Sequence, residues 1–486
     1  MILELSGHTY KYECEKVIRI FFPDERVLEG SRSQEEDRYV VCTVNEGDAE
    51  VFYGCEAFID GKREEYSFTY PKTEDDSDSL RERLLAKSML RVLSAITGIV
   101  PPWGILTGIR PSKLMRKYIS ESGEEEARKI FTDFFEANEE KTELAMKVAL
   151  LENKVVEESD KRSYSLYVSI PFCPTRCSYC SFVSHSVESA RKLIPDYVRA
   201  LCEEIRKTAE IAAESHLKPV TVYIGGGTPT SLDAIYLKEI TDTINRCFDM
   251  KAVKEFTVEA GRPDTIDEEK LVLLKNAGVT RISINPQTFS DSVLRAIGRC
   301  HTASDVVDKF LLARGLGFDN INMDFIAGLP TDTYEGFCES IDKAISLSPE
   351  NITVHTLSVK RSSRMNQLGE EYCDSSVTEK MVEYAGRALS ENGYLPYYMY
   401  RQSKTSANLE NVGWCKPSYP CLYNIYMMEE IHTVLATGAS AVTKLTLPKS
   451  DFLQRIFNFK YPYEYISGFS EMLERKKAVK LFYDNV

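Results

Sequence analysis

The sequence lacks any uninterrupted stretch of the roughly 20 apolar residues that a membrane-spanning helix requires, although 43% of its residues are hydrophobic. It also lacks an amino-terminal basic region followed by an apolar run, since it begins Met1-Ile-Leu-Glu-Leu-Ser. The first absence argues against a membrane span, and the second argues against a secretory signal. We therefore expect a cytoplasmic location.

A disulfide framework and a basic nucleic-acid-binding face are also missing. The 13 cysteines are sparse in a chain of 486 residues, and their odd number would leave one thiol unpaired. The formal net charge is −14, and no tract of Lys and Arg supplies the positive face that phosphate binding needs. We expect reduced thiols, no nucleic-acid partner and, for an anionic substrate, locally placed arginines.

The length of the chain predicts more than one domain. Residues 1–115 combine short β-rich runs with a helix-periodic segment, which predicts a small α+β module, and residues 116–160 predict a charged helical connector. In residues 161–385, six strand-like segments alternate with helical ones. This alternation is typical of an α/β fold with a parallel sheet and right-handed crossovers. Residues 386–486 are rich in tyrosine and predict a closing module.

One helix of the alternating region shows how its apolar positions are spaced. The helix is expected over residues 233–248, and its sequence predicts a stripe that faces the sheet. The stripe consists of Ile235, Leu237, Ile240, Ile244 and Phe248. Sites in such folds lie at the carboxyl ends of the strands, so we looked there for chemistry-bearing residues.

Three cysteines cluster directly after the first strand of the alternating region. Cys173, Cys177 and Cys180 have the spacing C-x3-C-x2-C. Three thiolates can bind three irons of a 4Fe–4S cube and leave the fourth iron open to chelate a substrate. A zinc site is an alternative, but structural zinc sites usually pair two such units, and His185 is the only nearby candidate. A purely structural group of cysteines is the other alternative.

A glycine-rich turn follows the second strand of the alternating region. Residues 225–230 read Gly-Gly-Gly-Thr-Pro-Thr, in which the glycines let backbone come close to a ligand and Pro229 fixes the turn. The Lys-Ser/Thr ending of a phosphate loop is missing. The alternative interpretation is a tight turn without a ligand.

Together, the cysteine spacing and the glycine-rich turn resemble the radical S-adenosylmethionine (SAM) superfamily. The resemblance implies a partial (β/α)6 TIM-like barrel and a 4Fe–4S cluster held by Cys173, Cys177 and Cys180. It further implies that the amino and carboxylate groups of SAM chelate the open iron. Electron transfer from a reducing donor such as flavodoxin or ferredoxin would then cleave the sulfonium to give a 5′-deoxyadenosyl radical.

Further motifs are similar to those of the oxygen-independent coproporphyrinogen III oxidases. They are Thr257-Val-Glu-Ala, Gln287-Thr-Phe, Gly298-Arg-Cys-His and Asn322-Met-Asp-Phe-Ile-Ala-Gly-Leu-Pro. By this resemblance, Tyr167 is the catalytic residue that lies beside the sulfonium and orders the reacting end of SAM. The resemblance also implies a SAM cradle formed by Tyr167, Gly226, Gly227, Thr228, Glu259, Gln287, Arg299 and Asp324. Taken alone, each carboxylate is equally compatible with a helix cap or an ion pair.

Segments outside the barrel resemble the HemZ branch of this family. They are Trp103-Gly-Ile-Leu-Thr-Gly-Ile-Arg-Pro, Tyr398-Met-Tyr-Arg-Gln and Asn408-Leu-Glu-Asn-Val-Gly. Within them, Arg110 and Arg401 are candidate forks for the carboxylates of a porphyrinogen. The alternative for both is an ordinary surface arginine.

Two positions depart from the pattern of the oxidases. Phe182 stands where they carry a further cysteine, and Ser169 stands where they carry a histidine. Phe182 is shared with the heme-chaperone branch, but the heme-binding motif of that branch is only partly present in the segment Tyr423-Asn-Ile-Tyr-Met. The resemblance implies oxidative decarboxylation of coproporphyrinogen III to protoporphyrinogen IX. The alternatives are a heme-binding or heme-trafficking protein and a radical SAM enzyme that methylates or opens heme.

Overall fold

The computed structural model describes the chain except residues 24, 32–36, 73–76, 109, 183, 361–362, 369–372, 403–407, 449, 451 and 485. Within the described residues, the chain divides into two compact units, Met1–Ala149 and Leu150–Val486. The finer division predicted from the sequence, with boundaries at 115, 160 and 385, stays a prediction. Ile109 of the HemZ-like segment lies outside the described residues.

The amino-terminal unit combines one mixed sheet with helices. The described strands are β1 (Ile2–Ser6), β2 (Leu28–Glu29), β3 (Arg38–Glu46), β4 (Glu50–Ile59) and β5 (Lys62–Pro71), in the sheet order β2-β1-β3-β4-β5. The helices are α1 (Lys11–Phe21), α2 (Asp78–Thr97), α3 (Pro111–Ser122), α4 (Glu124–Lys129) and α5 (Glu139–Glu157), the last of which continues into the second unit. Ser77 caps α2 by accepting a hydrogen bond from Leu80 N, and Gly98 ends it in the left-handed region.

The second unit is built on a sheet that has eleven strands among the described residues. The strands of the unit are β6 (Ser163–Ile170), β7 (Phe172–Cys173), β8 (His185–Ser186), β9 (Lys218–Gly226), β10 (Glu255–Glu259), β11 (Arg281–Ser283), β12 (Ile321–Ala327), β13 (Asn351–Thr356), β14 (Leu395–Arg401), β15 (Glu410–Cys415), β16 (Thr433–Thr437), β17 (Val442–Leu445) and β18 (Gln454–Phe457). The sheet order is β14-β15-β13-β12-β11-β10-β9-β6-β16-β17-β18, and β7 pairs with β8 apart from it.

The strands β6, β9, β10, β11, β12 and β13 are mutually parallel neighbours. Helices cross between them, as the alternation predicted, so the α/β fold class with a partial (β/α)6 barrel is confirmed. The helices of the unit are α6 (Val187–Ala190), α7 (Ile194–Glu214), α8 (Ala234–Cys247), α9 (Glu268–Asn276), α10 (Asp291–Ala296), α11 (Ala303–Gly315), α12 (Tyr334–Leu347), α13 (Arg364–Leu368), α14 (Ser375–Glu391), α15 (Leu422–Glu429), α16 (Pro462–Ser467) and α17 (Phe469–Tyr483). Among the described helices, none has both the length and the apolar character of a membrane span.

The apolar stripe predicted for α8 is correct at most positions and wrong at one. Leu237, Ile240, Ile244 and Phe248 are buried, whereas Ile235 is 70% exposed. Two residues correspond to about 200° around a helix, so Ile235 points away from the face that carries Leu237.

The region predicted as a closing module adds strands at both edges of the parallel part of the sheet. β15 pairs antiparallel with β13, and β16 pairs parallel with β6. A buried ion pair also joins α17 to α7, with Lys476 Nζ 2.9 Å from Glu204 Oε1. Glu204 additionally accepts hydrogen bonds from Gly438 N, Asn458 Nδ2 and Tyr465 Oη. A buried carboxylate with this many donors is well satisfied.

Candidate functional site

The loop after β6 carries the three clustered cysteines, and backbone hydrogen bonds fix its course. Ser178 N donates to Ile297 O at 3.1 Å, and Met365 N donates to Ser178 O at 2.9 Å. Within the loop, Cys180 N donates to Cys177 O at 3.2 Å. Cys177 is buried, while Cys173 and Cys180 are half-buried. The part of the loop between Cys177 and Cys180 is therefore held by two neighbouring segments of the chain.

All three cysteines line one cavity of about 380 Å³ at the carboxyl ends of the parallel strands. Donors approach two of the sulfurs, with Thr228 Oγ1 3.5 Å from Cys173 Sγ and Arg262 Nη1 3.7 Å from Cys177 Sγ. Burial raises the pKa of Cys173, and it raises that of Cys180 to about 11. Iron binding must displace these protons, because the thiolate is the ligand. Among the described residues, no group of three or more His, Cys, Asp and Glu side chains has an arrangement that could hold a single metal ion.

The glycine-rich turn packs directly on the cysteine loop. Gly227 N donates to Ile170 O at 2.8 Å, and Thr228 N donates to Phe172 O at 2.7 Å. A Cβ atom on Gly227 would lie 2.6 Å from Phe172 O, and Gly226 has a φ of 108°. Glycine is thus required here by close backbone approach and by conformation. Because Gly226, Gly227 and Thr228 also line the cavity, the turn forms one of its walls.

Two carboxylates face the cavity from neighbouring parts of the sheet. Glu259 ends β10 and accepts a hydrogen bond from Tyr223 Oη at 2.7 Å. Asp324 on β12 accepts one from Asn322 Nδ2 at 2.7 Å. Burial raises the pKa of Glu259 to about 7, and Asp324 adds to the shift. Partly buried carboxylates of this kind suit a ligand that carries a positive charge and hydroxyl groups.

Gln287 joins the cavity in a strained backbone conformation. Its φ is 69°, and its main chain pairs with β12 through Gln287 N to Asp324 O at 2.9 Å. Its Oε1 is buried and accepts no hydrogen bond from the described residues. Strained backbone and an unsatisfied buried amide together point to a ligand-binding position.

Arg299 is buried beside the same cavity and is held by backbone oxygens. Its Nη1 donates to Asn285 O at 2.7 Å and to Gly261 O at 3.2 Å. These features together fit an iron–sulfur cluster with a chelating SAM molecule. They are the three thiols, the close-packed glycine-rich turn, the two partly buried carboxylates and the unsatisfied Gln287 amide.

Three predicted site residues lie elsewhere. Tyr167 stacks with Tyr223 and Tyr423, whose ring centroids lie 6.2 Å and 6.1 Å from its own. Arg401 is buried, and its Nε and Nη2 donate to Asn408 O. Neither is among the described residues that line the cavity. Arg110 belongs to the amino-terminal unit, where it precedes α3.

Three cavity-lining arginines, Arg176, Arg262 and Arg281, escaped the sequence prediction. Arg262 lies three residues after Glu259, beyond the carboxyl end of β10, and this position was an available signal. Arg281 begins β11 and is fully buried. Nothing in the sequence pattern distinguishes it from a surface arginine, since it follows a turn like many exposed ones.

Comparison with known proteins shows the family of the chain. The profile of the radical SAM superfamily matches residues 167–344. The chain is 35% identical over 470 residues to the oxygen-independent coproporphyrinogen-III oxidase-like protein HemZ of Bacillus subtilis (strain 168), covering 95% of this chain and 94% of the relative. It is 29% identical over 318 residues to the heme chaperone HemW of Escherichia coli (strain K12), covering 65% of this chain and 78% of the relative.

One solved structure shows the same fold. The radical SAM enzyme coproporphyrinogen III oxidase (HemN) from Escherichia coli superposes with a TM-score of 0.51 at 21% identity. The superposition covers 67% of this chain and 73% of the other. The barrel described above is therefore the fold of that enzyme.

Proposed function

The chain belongs to the oxygen-independent coproporphyrinogen III oxidase-like family of radical SAM proteins, in its HemZ branch, and we propose that it decarboxylates coproporphyrinogen III to protoporphyrinogen IX without oxygen. The observation that carries this proposal is the cavity at the carboxyl ends of the parallel strands. Its walls include the three thiols, the glycine-rich turn and the acidic and amide side chains that the family uses for SAM.

The cluster and SAM, when bound, supply one-electron reductive cleavage and a group that removes a hydrogen atom from substrate. The chain's own residues hold and orient these groups. Cys173, Cys177 and Cys180 are the proposed iron ligands. Glu259 and Asp324 are proposed to accept hydrogen bonds from the amino and hydroxyl groups of SAM. A porphyrinogen propionate that loses the hydrogen atom then releases carbon dioxide and one electron to an acceptor.

The part of the cavity beyond Asp324 supports a substrate with both flat apolar and polar parts. Tyr398 and Tyr400 contribute aromatic surface there, and His355, Asn411 and Lys360 contribute polar groups. Arg110 and Arg401 stay the candidates for propionate contacts that the sequence suggests, and neither is among the described residues that line the cavity. Tyr167 remains the proposed residue beside the sulfonium, and flavodoxin or ferredoxin the proposed electron donor.

Heme binding and delivery is the second candidate. It is favoured by the similarity to the heme chaperones HemW, which reaches 42% identity over 197 residues for the Bacillus subtilis (strain 168) protein, 40% of this chain and 51% of that relative. Phe182, which replaces a cysteine of the oxidases, also favours heme binding and delivery. A radical SAM enzyme that methylates or opens heme is the third interpretation carried over from the sequence.

One anaerobic experiment separates these functions. Cluster-reconstituted protein is incubated with dithionite, SAM and coproporphyrinogen III, and 5′-deoxyadenosine and vinyl porphyrins are followed by mass spectrometry. Formation of both products is the expected result. A Cys177→Ser variant should form neither, whereas Cys247→Ser, which changes a half-buried thiol at the end of α8, should form both.

The competing functions predict different results in the same experiment. Stoichiometric heme binding without vinyl product contradicts the decarboxylase and supports heme delivery. A methylated or ring-opened heme in a parallel incubation with heme supports the third function. Absence of all these products from protein with an intact cluster contradicts every enzymatic interpretation.

A further inference from the structure

A buried arginine approaches one of the three clustered thiols. Arg262 follows β10 and is 3% exposed. Its Nη1 lies 3.7 Å from Cys177 Sγ in hydrogen-bonding geometry. Sulfur accepts hydrogen bonds at longer distances than oxygen, so this contact is a direct one. The guanidinium also lines the cavity, where it has no part in the roles proposed above.

The neighbours of Arg262 fix the direction in which it donates. Asp264 receives two bonds, from Nε to Oδ1 at 3.0 Å and from Nη2 to Oδ2 at 2.9 Å. Thr175 Oγ1 accepts from both Nη1 and Nη2 at 3.2 Å. This bidentate pairing holds the planar fork, and Nη1 is thereby turned towards the cysteine loop.

The partners of Arg262 are themselves held in place. Thr175 Oγ1 donates to Gly298 O at 3.2 Å, which ties this part of the cysteine loop to the segment that carries Arg299. His301 Nδ1 lies 3.7 Å from Asp264 Oδ1, the oxygen that also accepts from Arg262 Nε. The arrangement therefore extends from the barrel wall through Asp264 and Arg262 to the sulfur of Cys177.

We propose that Arg262 is a positioning residue that raises the reduction potential of the iron–sulfur cluster through Cys177. A hydrogen bond and a positive charge at a ligating sulfur stabilise the reduced cluster, which carries one more negative charge than the oxidised one. Burial reduces the screening of this charge by solvent and salt. The inference depends on the cluster of the family and not on porphyrinogen as the substrate.

The test is an anaerobic potentiometric titration of the reconstituted full-length protein, with dithionite as the reductant and the reduced cluster followed by electron paramagnetic resonance. Arg262→Met removes the charge and the donors. We expect the ratio of reduced to oxidised cluster at a fixed potential to fall at least tenfold, which is about 59 mV for a one-electron couple. Arg262→Lys keeps the charge without the fork and should lie between Arg262→Met and the wild type.

Thr175→Val tests the orienting contact while Arg262 itself is retained, and it changes no charge, because it removes only the hydroxyl that accepts from Nη1 and Nη2. Its midpoint should shift in the same direction as that of Arg262→Met, by a smaller amount. Arg314→Met is the matched control, because Arg314 makes two bonds of 2.7 Å to Glu350 and is not among the described residues that line the cavity. Its midpoint should equal that of the wild type.

An Arg262→Met protein with full iron content and an unchanged midpoint overturns the proposal. A shift of equal size in Arg314→Met also overturns it, since the effect would then not be specific to Cys177. If Arg262→Met assembles no cluster, the other two variants decide. Lowered midpoints in Arg262→Lys and Thr175→Val support the proposal, and wild-type midpoints in both contradict it.

Discussion

Glu259 combines burial with a hydrogen bond from Tyr223 Oη, and this setting makes its charge sensitive to what occupies the cavity. Removing the carboxylate in Glu259→Gln should weaken SAM binding to the reconstituted protein. A charge-assisted hydrogen bond contributes about 1.5–3 kcal/mol, so we expect an affinity about 10- to 100-fold lower. Anaerobic titration calorimetry measures this. Glu239→Gln, on the exposed face of α8, is the control, and equal affinities in the two variants would contradict the assigned contact.

The raised pKa of Glu259 predicts a pH dependence. Because its pKa rises from 4.5 to about 7, mainly through burial, the folded ligand-free protein holds a proton that the unfolded chain releases between these values. Its contribution to the free energy of unfolding therefore decreases as the pH rises through this window. A cationic ligand requires the carboxylate, so SAM affinity should increase by up to about tenfold per unit as the pH approaches 7 from below, and then level off. Calorimetry at several pH values should show this slope in the wild type and a flat profile in Glu259→Gln.

The site also illustrates what a sequence can predict about single residues. Glu259, Gln287, Arg299 and Asp324 are predicted to share the SAM cradle by the family resemblance, each from its own short motif. All four line the cavity. The position of Arg262 after β10 makes it a candidate site residue, but its proposed role depends on a hydrogen bond to a sulfur 85 positions away in the chain, which only the structure reveals.

At the level of elements, the glycine-rich turn and the cysteine loop depend on each other. Gly227→Ala places a Cβ atom 2.6 Å from Phe172 O, which is backbone and cannot rotate away. We expect the cysteine loop to shift and iron incorporation to fall severalfold. Iron content and absorbance after reconstitution measure this. In Gly315→Ala the new Cβ meets no atom within 4 Å, so this variant should load like the wild type. Equal loading of both variants would contradict the proposed coupling.

The contact between α17 and α7 offers a comparison of a buried and an exposed ion pair. Lys476→Met leaves Glu204 buried and unpaired, which should cost about 3–5 kcal/mol in the free energy of unfolding. Lys480→Met removes the pair with Glu214 on the same two helices, where both side chains are about half exposed, and should cause no measurable change. Urea denaturation measures both, and similar stabilities for the two variants would show that the buried network is not stabilising.

The strands and helices of the barrel were easier to predict from the sequence than the pairing of strands in the closing region. Alternating strand and helix segments indicate β6 and β9 to β13 because each segment carries its own local pattern. The stripe on α8 was wrong only at Ile235, where the angle around the helix outweighs hydrophobicity. By contrast, the pairing of β15 with β13 and of β16 with β6 links distant segments. Local patterns carry little information about such non-local pairing.

At the level of the whole molecule, the two compact units each have their own sheet, and only the second contains the cysteine-lined cavity. Units with separate cores can unfold as separate cooperative transitions. Because SAM binds only the folded state of the unit that holds its site, it should raise the melting temperature of one transition by a few degrees. At 100 times its Kd, the ligand adds about 2.7 kcal/mol to the free energy of unfolding of that unit.

Anaerobic calorimetry of the reconstituted protein with and without SAM measures both transitions, and Glu259→Gln serves as the control. In that variant the same SAM concentration should give a smaller shift, because the added stability depends on the ratio of ligand concentration to Kd. A single transition, or an equal shift in both, would mean that the two units unfold as one cooperative body.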